Sequence, residues 1–251
     1  MAELLHGKRA LVTGAGRGIG MEIARLFAAE GASVVVHYRG SRTGAEGTAR
    51  IIREAGGTAT VLQADLTDEG DVSRLLSETL ASLGGLDILV NNAAGFGELK
   101  PLAAHTWDEV DAEWQAVVKP VFLLTRACVP VLVAQKSGRI VNLSATLLQR
   151  PAPTYGAHTM AKAAVLAFTR TLAREVGADN VTVNAVSPGI ALTEFSLSLP
   201  DETKNAVRDR TPLRRLATPE DVAKAVLFFA SPLADFITGA NLAPDGGLAV
   251  L

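Results

Sequence analysis

The sequence predicts an α/β fold built on a parallel sheet, and three features of the chain support this. Short runs that are apolar at every position alternate with longer, helix-like segments along the whole length. Strands without polar alternation are typical of sheets covered on both faces, and the helices between them supply the cover. A cluster of glycines follows the first apolar run and opens the first helix, as in a phosphate-binding turn. We therefore expect one doubly wound sheet, with residues 1–251 forming a single domain.

The elements are expected in a regular order. Strands are predicted at KRALVT, SVVVHY, TATVLQAD, LDILV, GRIVNLS and NVTVNAVS, with a short final strand near ITGANLA. Helices are predicted after the glycines and near 42–55, 68–82, 105–136, 155–177 and 219–230. Pro120 is expected to break the long fourth helix. The segment at about 190–217 is expected to be irregular and to cover the substrate, because long loops at strand ends often carry function.

Composition excludes several classes of protein. A formal net charge of −2 gives no electrostatic reason to expect nucleic acid or an anionic membrane as a partner. No apolar run approaches the roughly 18–20 residues of a membrane span. The single cysteine, Cys128, lies in an apolar run and is expected to be a buried thiol, so the cytoplasm is the expected compartment. The four histidines form no metal-ligand spacing, and we expect no metal.

The glycine cluster predicts a dinucleotide site. Gly14, Gly16, Gly18 and Gly20 stand between a strand and a helix, where glycine lets the backbone approach a pyrophosphate at the helix N-terminus. The second strand ends His-Tyr-Arg-Gly-Ser-Arg, without the acidic residue that usually holds the ribose hydroxyls of NAD. Arg39 and Ser41, aided by Arg17, are suited to a ribose phosphate instead. We expect NADPH, and the alternative is that these arginines lie on a solvated turn.

Three polar side chains are expected on one stripe of the helix near 155–177. Tyr155, His158 and Lys162 stand at relative positions 0, 3 and 7, which align on a helix of about 3.6 residues per turn. A phenol, an imidazole and an ammonium so arranged can supply a proton beside a bound substrate.

Five motifs resemble the short-chain dehydrogenase/reductase family across essentially the whole chain. They are TGAGRGIG at 13–20, Asp65 in ADLTD, NNAAG at 91–95, Lys162, and SPGIALT at 187–193. The resemblance implies a Rossmann-type fold, a homotetramer, and Lys162 on the nicotinamide ribose, where its charge would lower the pKa of a nearby phenol. The cofactor-binding residues predicted from the glycine loop, the second strand and the resemblance together are Gly14, Arg17, Gly18, Ile19, Gly20, Tyr38, Arg39, Ser41, Asp65, Leu66, Asn92, Ala93, Lys162, Pro188, Gly189, Ile190 and Thr193.

The catalytic pattern departs from that family at three positions. The family's tyrosine, serine and asparagine align here with His158, Ala145 and Val117, while Lys162 is retained. Ser144 is not expected to substitute for the serine, because neighbouring strand residues face opposite sides.

The enoyl-acyl-carrier-protein reductases of the family carry a tyrosine seven positions before the lysine, and Tyr155 stands there. We therefore expect NADPH-dependent reduction of a conjugated C=C bond, with an enoyl thioester as substrate and with Tyr155 and Lys162 as catalytic residues. Tyr155 would hydrogen-bond the enolate oxygen, and His158 would fill a neutral place beside it. Two alternatives stay open. One is carbonyl reduction or alcohol oxidation with His158 or Tyr155 as acid, and the other is an NADP-binding protein without turnover.

Overall fold

The computed structural model describes residues 3–249, apart from the side chain of Phe195. The strands are β1 (Arg9–Val12), β2 (Ser33–Tyr38), β3 (Thr58–Gln63), β4 (Ile88–Asn91), β5 (Gly138–Leu143), β6 (Val181–Val186) and β7 (Asn241–Leu242). The helices are α1 (Gly18–Ala29), α2 (Arg42–Glu54), α3 (Glu69–Leu83), α4 (Trp107–Ala134), α5 (Gly156–Val176), α6 (Glu194–Leu197), α7 (Asp201–Arg210) and α8 (Pro219–Ala230).

The strands of the described chain form a seven-stranded sheet in the order β3-β2-β1-β4-β5-β6-β7, and every pairing is parallel. One apolar cluster packs α1, α2 and α8 on one face, and a second packs α3, α4 and the end of α5 on the other. Because both faces are covered, strands such as β4 and β6 are buried along their whole length. The prediction of a doubly wound Rossmann-type sheet is confirmed.

The strand order fixes where a ligand can bind. β1 is the point at which the order reverses, since β2 lies on one side of it and β4 on the other. In open α/β sheets the crevice outside the carboxyl ends of such strands is the usual ligand site. The glycine turn after β1 and the segments after β4 and β5 meet at this edge.

The long helix α4 differs from the prediction in that Pro120 does not break it. Both Pro120 and Pro130 lie inside one continuous helix. Proline has no backbone N–H, so the carbonyl of Ala116, four residues earlier, lacks its usual helical partner. That carbonyl instead accepts a hydrogen bond of 3.2 Å from the Gly95 backbone N–H. The proline therefore joins α4 to the segment that follows β4.

Two further observations concern α4 and the segment at about 190–217. An 18-residue window of α4 has a mean hydropathy of 1.8, so α4 is long and apolar enough to cross a membrane by length and composition alone; 44% of that window is buried inside the protein. The segment at about 190–217 is not wholly irregular, because it contains α6 and α7. Its expected covering of the substrate stays a prediction.

Candidate active site

The turn between β1 and α1 forms a cradle for an anionic group. Gly14 and Gly18 have φ angles of 63° and 54°, in the left-handed region that favours glycine. Within the described chain no side chain caps the start of α1, where Arg17 is the N-cap residue. The backbone N–H groups at this helix end therefore stay available to a pyrophosphate.

Close backbone packing behind the cradle explains a further glycine. A Cβ atom on Gly20 would lie 2.3 Å from the carbonyl oxygen of Gly14 and 2.5 Å from the side-chain amide of Asn92. That amide donates to the carbonyls of Thr13 and Gly14, at 2.9 and 3.3 Å. Asn92 thus fixes the glycine turn to the end of β4.

A cavity of about 540 Å³ runs over this cradle. Most of the predicted cofactor residues line it, namely Gly14, Arg17, Gly18, Ile19, Gly20, Tyr38, Arg39, Ser41, Asp65, Leu66, Asn92, Ala93 and Thr193. Its lining within the described chain does not include Lys162, Pro188, Gly189 or Ile190. The side chains of Arg17 and Glu194 form an exposed ion pair of 3.0 Å at this cavity.

The far end of the cavity carries the groups expected to meet the ribose. Ser41 caps α2 by accepting a hydrogen bond from the Gly44 N–H. Asp65 accepts hydrogen bonds from the N–H and hydroxyl of Thr67, at 2.9 and 2.8 Å, and these bonds lower its pKa. The Arg39 guanidinium contributes to the same lowering.

His37 ties β2 to the glycine turn. Its Nε2 lies 3.1 Å from the carbonyl oxygen of Ala64, so that nitrogen donates, and its Nδ1 accepts from the Gly14 N–H at 3.2 Å. Burial lowers the pKa of His37 to about 4. The imidazole is therefore neutral at physiological pH, and its role here is structural.

A second cavity, of about 380 Å³, adjoins the first. Gly95 and Ala116 line both cavities, and the hydrogen bond between their backbones lies at the junction. A Cβ atom on Gly95 would lie 2.6 Å from the Cβ of Ala116, so only glycine fits this approach. The second cavity is lined by the 95–100 segment, by α4 and by the start of α5. We call it the substrate cavity.

His158 and Glu113 form a buried pair in the substrate cavity. The Nδ1 atom of His158 lies 2.5 Å from Oε1 of Glu113, and their side chains are 11% and 3% exposed. A carboxylate only accepts hydrogen bonds, so Nδ1 carries the proton and Nε2 is left for another partner. The Phe96 ring lies 4.6 Å from the imidazole ring, centroid to centroid.

The local charges keep Glu113 ionised. Burial alone would raise the pKa of Glu113, but the hydrogen bond and charge of His158, the Gly97 N–H and the charge of Lys162 together lower it. The Gly97 N–H donates to Oε2 at 2.8 Å, so both carboxylate oxygens are engaged. An ionised carboxylate in contact with an imidazole stabilises the protonated ring.

Lys162 stands one helical turn after His158 on α5. It is 6% exposed, and its Nζ donates to the carbonyl of Leu143 at the end of β5, at 2.9 Å. Burial lowers the pKa of Lys162 to about 8, and the charge of Glu113 acts against that lowering. Its predicted contact with the nicotinamide ribose stays a prediction.

Tyr155 stands at the start of α5. It is the N-cap residue of α5, whose first helical residue is Gly156, and its ring makes an edge contact with Phe96 at 5.9 Å. Within residues 3–249, the lining of neither cavity includes Tyr155. Within the same residues Lys162 is likewise not part of either lining, and the catalytic roles predicted for Tyr155 and Lys162 stay predictions.

Val117 and Ser144 are both buried. Val117 is buried in a small apolar cluster between α4 and α5, with Val121, Ala161 and Val165. Ser144 is buried and its hydroxyl donates to the backbone carbonyl of Lys162 at 3.1 Å, as expected for a side chain that does not replace the missing serine.

Glu113 is the residue of this site that the sequence did not predict. It is one of four acidic residues in WDEVDAEW at the start of the long helix. The available signal was its spacing, since Glu113 stands one turn before Val117, the position aligned with the family's asparagine. That spacing places both residues on the same helical face.

Comparisons with known proteins bear on the whole chain. Residues 14–249 match a family model described as enoyl-(acyl carrier protein) reductase. The chain is 36% identical over 243 residues to the 3-oxoacyl-[acyl-carrier-protein] reductase FabG of Staphylococcus aureus, covering 96% of this chain and 98% of that protein. It is 38% identical over 249 residues to the 3-oxoacyl-[acyl-carrier-protein] reductase of Synechocystis sp., covering 97% and 98%. Among solved structures, a 7α-hydroxysteroid dehydrogenase complexed with NADH and 7-oxo glycochenodeoxycholic acid aligns with a TM-score of 0.93 and 34% identity, covering 98% of this chain and 96% of that one.

These relatives show that the prediction of enoyl reduction is wrong. Proteins that align with nearly the whole chain at 33–38% identity are named 3-oxoacyl reductases, so the carbonyl alternative fits better. The spacing argument assumed that Tyr155 belongs to the helix and shares the stripe of Lys162. In the structure the helix begins after Tyr155, and His158 is the side chain that lines the substrate cavity.

Proposed function

Because the chain belongs to the short-chain dehydrogenase/reductase family, and is therefore an oxidoreductase that uses a nicotinamide dinucleotide, we propose that it interconverts a carbonyl group and an alcohol. His158 acts as the proton donor and acceptor in this proposal, in place of the family's tyrosine. The names of the full-length relatives support carbonyl chemistry.

One observation carries the proposal: an imidazole bonded to a buried carboxylate lines the cavity that adjoins the cofactor cavity. A general acid must lie within hydrogen-bond reach of the oxygen that it protonates. His158 offers Nε2 for this contact because Glu113 holds Nδ1. The carboxylate also stabilises the imidazolium, which is the proton-donating form in reduction and the product in oxidation.

The proton balance of the reaction follows from this arrangement. Bound reduced nicotinamide would supply a hydride to the carbonyl carbon. His158 donates its Nε2 proton to the carbonyl oxygen, which becomes the alcohol hydroxyl, and the neutral imidazole is then reprotonated from solvent. In the reverse direction Nε2 accepts the hydroxyl proton of the alcohol. Glu113 keeps its charge throughout and orients the ring.

We propose NADPH as the preferred dinucleotide. Arg39 and Ser41 line the cavity where the second strand ends, beside the N-terminus of α2, and both suit a phosphate group. The steroid dehydrogenase that aligns with this chain is described with NADH, so the preference needs a direct measurement.

Initial rates with matched substrates test the reaction. Purified protein is given NADPH with an acetoacetyl thioester, with simple ketones and, separately, with a crotonyl thioester, and absorbance at 340 nm is followed. We expect oxidation of NADPH with the carbonyl compounds. A protein that binds NADPH but reduces none of them would overturn the proposal in favour of binding without turnover.

Two variants separate the candidate acids. His158→Phe should lower the rate by roughly 10²- to 10⁴-fold, the usual contribution of a general acid. Tyr155→Phe is the matched control and should stay within a few-fold of the unmodified protein, because Tyr155 does not line the cavity. Full activity in His158→Phe would contradict the proposal.

We also propose a homotetramer in the cytoplasm. Exposed apolar side chains on α4 and α5, including Trp107, Phe122 and Met160, support self-association. Analytical ultracentrifugation would settle the assembly, and a monomer at micromolar concentration would contradict it.

A further inference from the structure

Residues 95–100, which line the substrate cavity, are tied to one face of α4. The Gly97 backbone N–H donates to Oε2 of Glu113 at 2.8 Å. The Gly95 backbone N–H donates to the carbonyl of Ala116 at 3.2 Å. Positions 113 and 116 stand three residues apart and therefore lie on the same helical face. This part of the cavity wall thus rests on two acceptors from successive turns of α4.

The acceptor at Ala116 depends on Pro120. The carbonyl of a residue inside an α-helix normally accepts a hydrogen bond from the N–H four residues later. Pro120 is buried inside α4 and has no N–H to offer to Ala116, and a proline ring also crowds that carbonyl. Both effects favour a partner outside the helix, and Gly95 supplies it. Any other residue at position 120 would add an N–H that competes with Gly95 for the same carbonyl.

The two hydrogen bonds from this segment flank Phe96. Gly95 and Gly97 are its neighbours in the chain, so the Phe96 backbone is held on both sides. The Phe96 ring lies 4.6 Å from the imidazole of His158, centroid to centroid. Glu113 holds Nδ1 of the same imidazole. The position of the proposed proton donor therefore depends on Phe96 as well as on the carboxylate, and the position of Phe96 depends on both backbone bonds.

We propose that Pro120 is a positioning residue for the substrate cavity: by leaving the Ala116 carbonyl to Gly95, it holds residues 95–97 and thereby sets Phe96 against His158. This inference rests on the proposed carbonyl chemistry at His158. Pro120 acts through the segment that it holds and takes no part in proton transfer.

The second proline of α4 offers a matched control. Pro130 also lies inside the helix, and it is exposed. Within residues 3–249, the carbonyl of Arg126, four residues earlier, accepts no backbone hydrogen bond from outside the helix. Replacing either proline by alanine removes a ring and adds an N–H to α4. Only at position 120 does the added N–H compete with another segment.

Kinetics of the two alanine variants provide the first test. With the best carbonyl substrate and saturating NADPH, kcat/KM should fall about fivefold in Pro120→Ala, which corresponds to one typical hydrogen bond of about 1 kcal/mol. Pro130→Ala should stay within about twofold of the unmodified protein. The Kd for NADPH should stay within about twofold in both variants, because Asn92 rather than Gly95 fixes the glycine turn. An unchanged kcat/KM in Pro120→Ala, or an equal loss of NADPH affinity, would overturn the inference.

Backbone esters separate the effect of the N–H from that of the ring. L-Lactic acid in place of Pro120, introduced by cell-free translation, has the methyl group of alanine and an ester oxygen where alanine has its N–H. Its kcat/KM should exceed that of Pro120→Ala about fivefold. Equal values for the two variants would show that the N–H has no effect and would overturn the inference.

A second ester removes the donor instead of adding a competitor. Glycolic acid in place of Gly95 lacks the backbone N–H and should lower kcat/KM by about the same factor as Pro120→Ala. Combining it with Pro120→Ala should cause no further loss, because both changes remove the same hydrogen bond. Additive losses would contradict the proposed link between the two positions.

Hydrogen exchange tests the hydrogen bond without turnover. Deuterium uptake at the Gly95 amide of the apoprotein, followed by mass spectrometry, should be about fivefold faster in Pro120→Ala than in Pro130→Ala. Equal rates would overturn the inference. If exchange responds and the rate of carbonyl reduction does not, the positioning role is wrong and the carbonyl chemistry stands. If no carbonyl compound is reduced, the carbonyl chemistry is wrong, and exchange alone decides whether Pro120 holds the segment.

Discussion

Glu113→Gln tests whether the buried carboxylate stabilises the proton on His158. The substitution keeps the size of the side chain and removes its charge, which lies 2.5 Å from Nδ1 of His158. Two unit charges centred about 4 Å apart interact by about 4 kcal/mol at an effective dielectric constant of ~20. The glutamine oxygen still accepts the Nδ1 proton, so part of this energy is kept. A hydrogen bond to a charged acceptor contributes about 1.5–3 kcal/mol and one to a neutral acceptor about 0.5–1.5 kcal/mol, so the expected loss is about 1–1.5 kcal/mol.

That loss should appear in alcohol oxidation, where the imidazolium forms during the reaction. We expect kcat to fall roughly 5- to 12-fold, since each 1.4 kcal/mol is a factor of ten. The KM for NADP should not change, because Glu113 does not line the cofactor cavity within the described chain. Initial rates at 340 nm with a saturating secondary alcohol measure both constants.

Glu98→Gln is the matched control for this variant. Glu98 lines the same cavity, but its side chain is 76% exposed and makes no contact with His158 among the described residues. Its kcat should stay within about twofold of the unmodified protein. If Glu113→Gln has the same kcat as Glu98→Gln, then the carboxylate does not assist proton transfer and the reasoning about the pair is refuted.

Three further outcomes are expected from the cofactor cavity and its surroundings. Arg39→Ala should raise the Kd for NADPH about tenfold and leave the Kd for NADH unchanged. Arg42 does not line the cavity, so Arg42→Ala should change neither Kd. Calorimetric titration measures both constants, and an equal loss of affinity for the two dinucleotides in Arg39→Ala would contradict the phosphate assignment. Gly95→Ala should destabilise the protein by about 1–3 kcal/mol, because its methyl group would lie 2.6 Å from the Cβ atom of Ala116 in α4. Gly47 faces open space, so Gly47→Ala is the control and should not destabilise the protein. Equal urea midpoints for the two variants would exclude the clash. Lys162→Met should abolish turnover, and its stability relative to the unmodified apoprotein should depend on pH. The pKa of this lysine is about 8 when folded against 10.5 when unfolded, so its charge destabilises the fold fully below pH 8 and progressively less up to pH 10.5. Between pH 7 and pH 10 the unmodified protein should therefore gain about 2 kcal/mol of unfolding free energy relative to Lys162→Met. If the two unfolding free energies differ by the same amount at both pH values, the burial effect is excluded.

The fold could be predicted from the sequence because it depends on signals that repeat along the chain. Strands such as β4 and β6 are mostly apolar and are buried on both faces, and a glycine turn marks the start of the first helix, so tertiary packing and local pattern agree. Pro120 shows the limit of this reasoning. Its local preference to break a helix is overridden because the Gly95 N–H satisfies the carbonyl that the proline leaves without a partner. Such a contact joins residues far apart in the chain, and no local pattern reports it.

The candidate site was predictable where it follows the family pattern and unpredictable where it departs from it. The glycine turn and the end of the second strand fall in the cofactor cavity as the motifs imply. Spacing also left open whether Tyr155 lies inside the helix, and in the structure the helix begins at Gly156. Helix ends are set by backbone contacts that sequence spacing specifies only to within a residue or two.

The three departures from the family pattern are physically consistent with one another. Val117 has no group that would hold a relay water, and it packs instead into the apolar cluster between α4 and α5. A protonated imidazole with no partner beside this cluster would be an unpaired charge in an apolar setting, which is costly. Glu113 removes that cost by contacting His158 directly, one turn before Val117 on the same helix. In the proposed reaction the carboxylate therefore supplies the partner that a protonated His158 needs, and solvent returns the proton that the ring gives up.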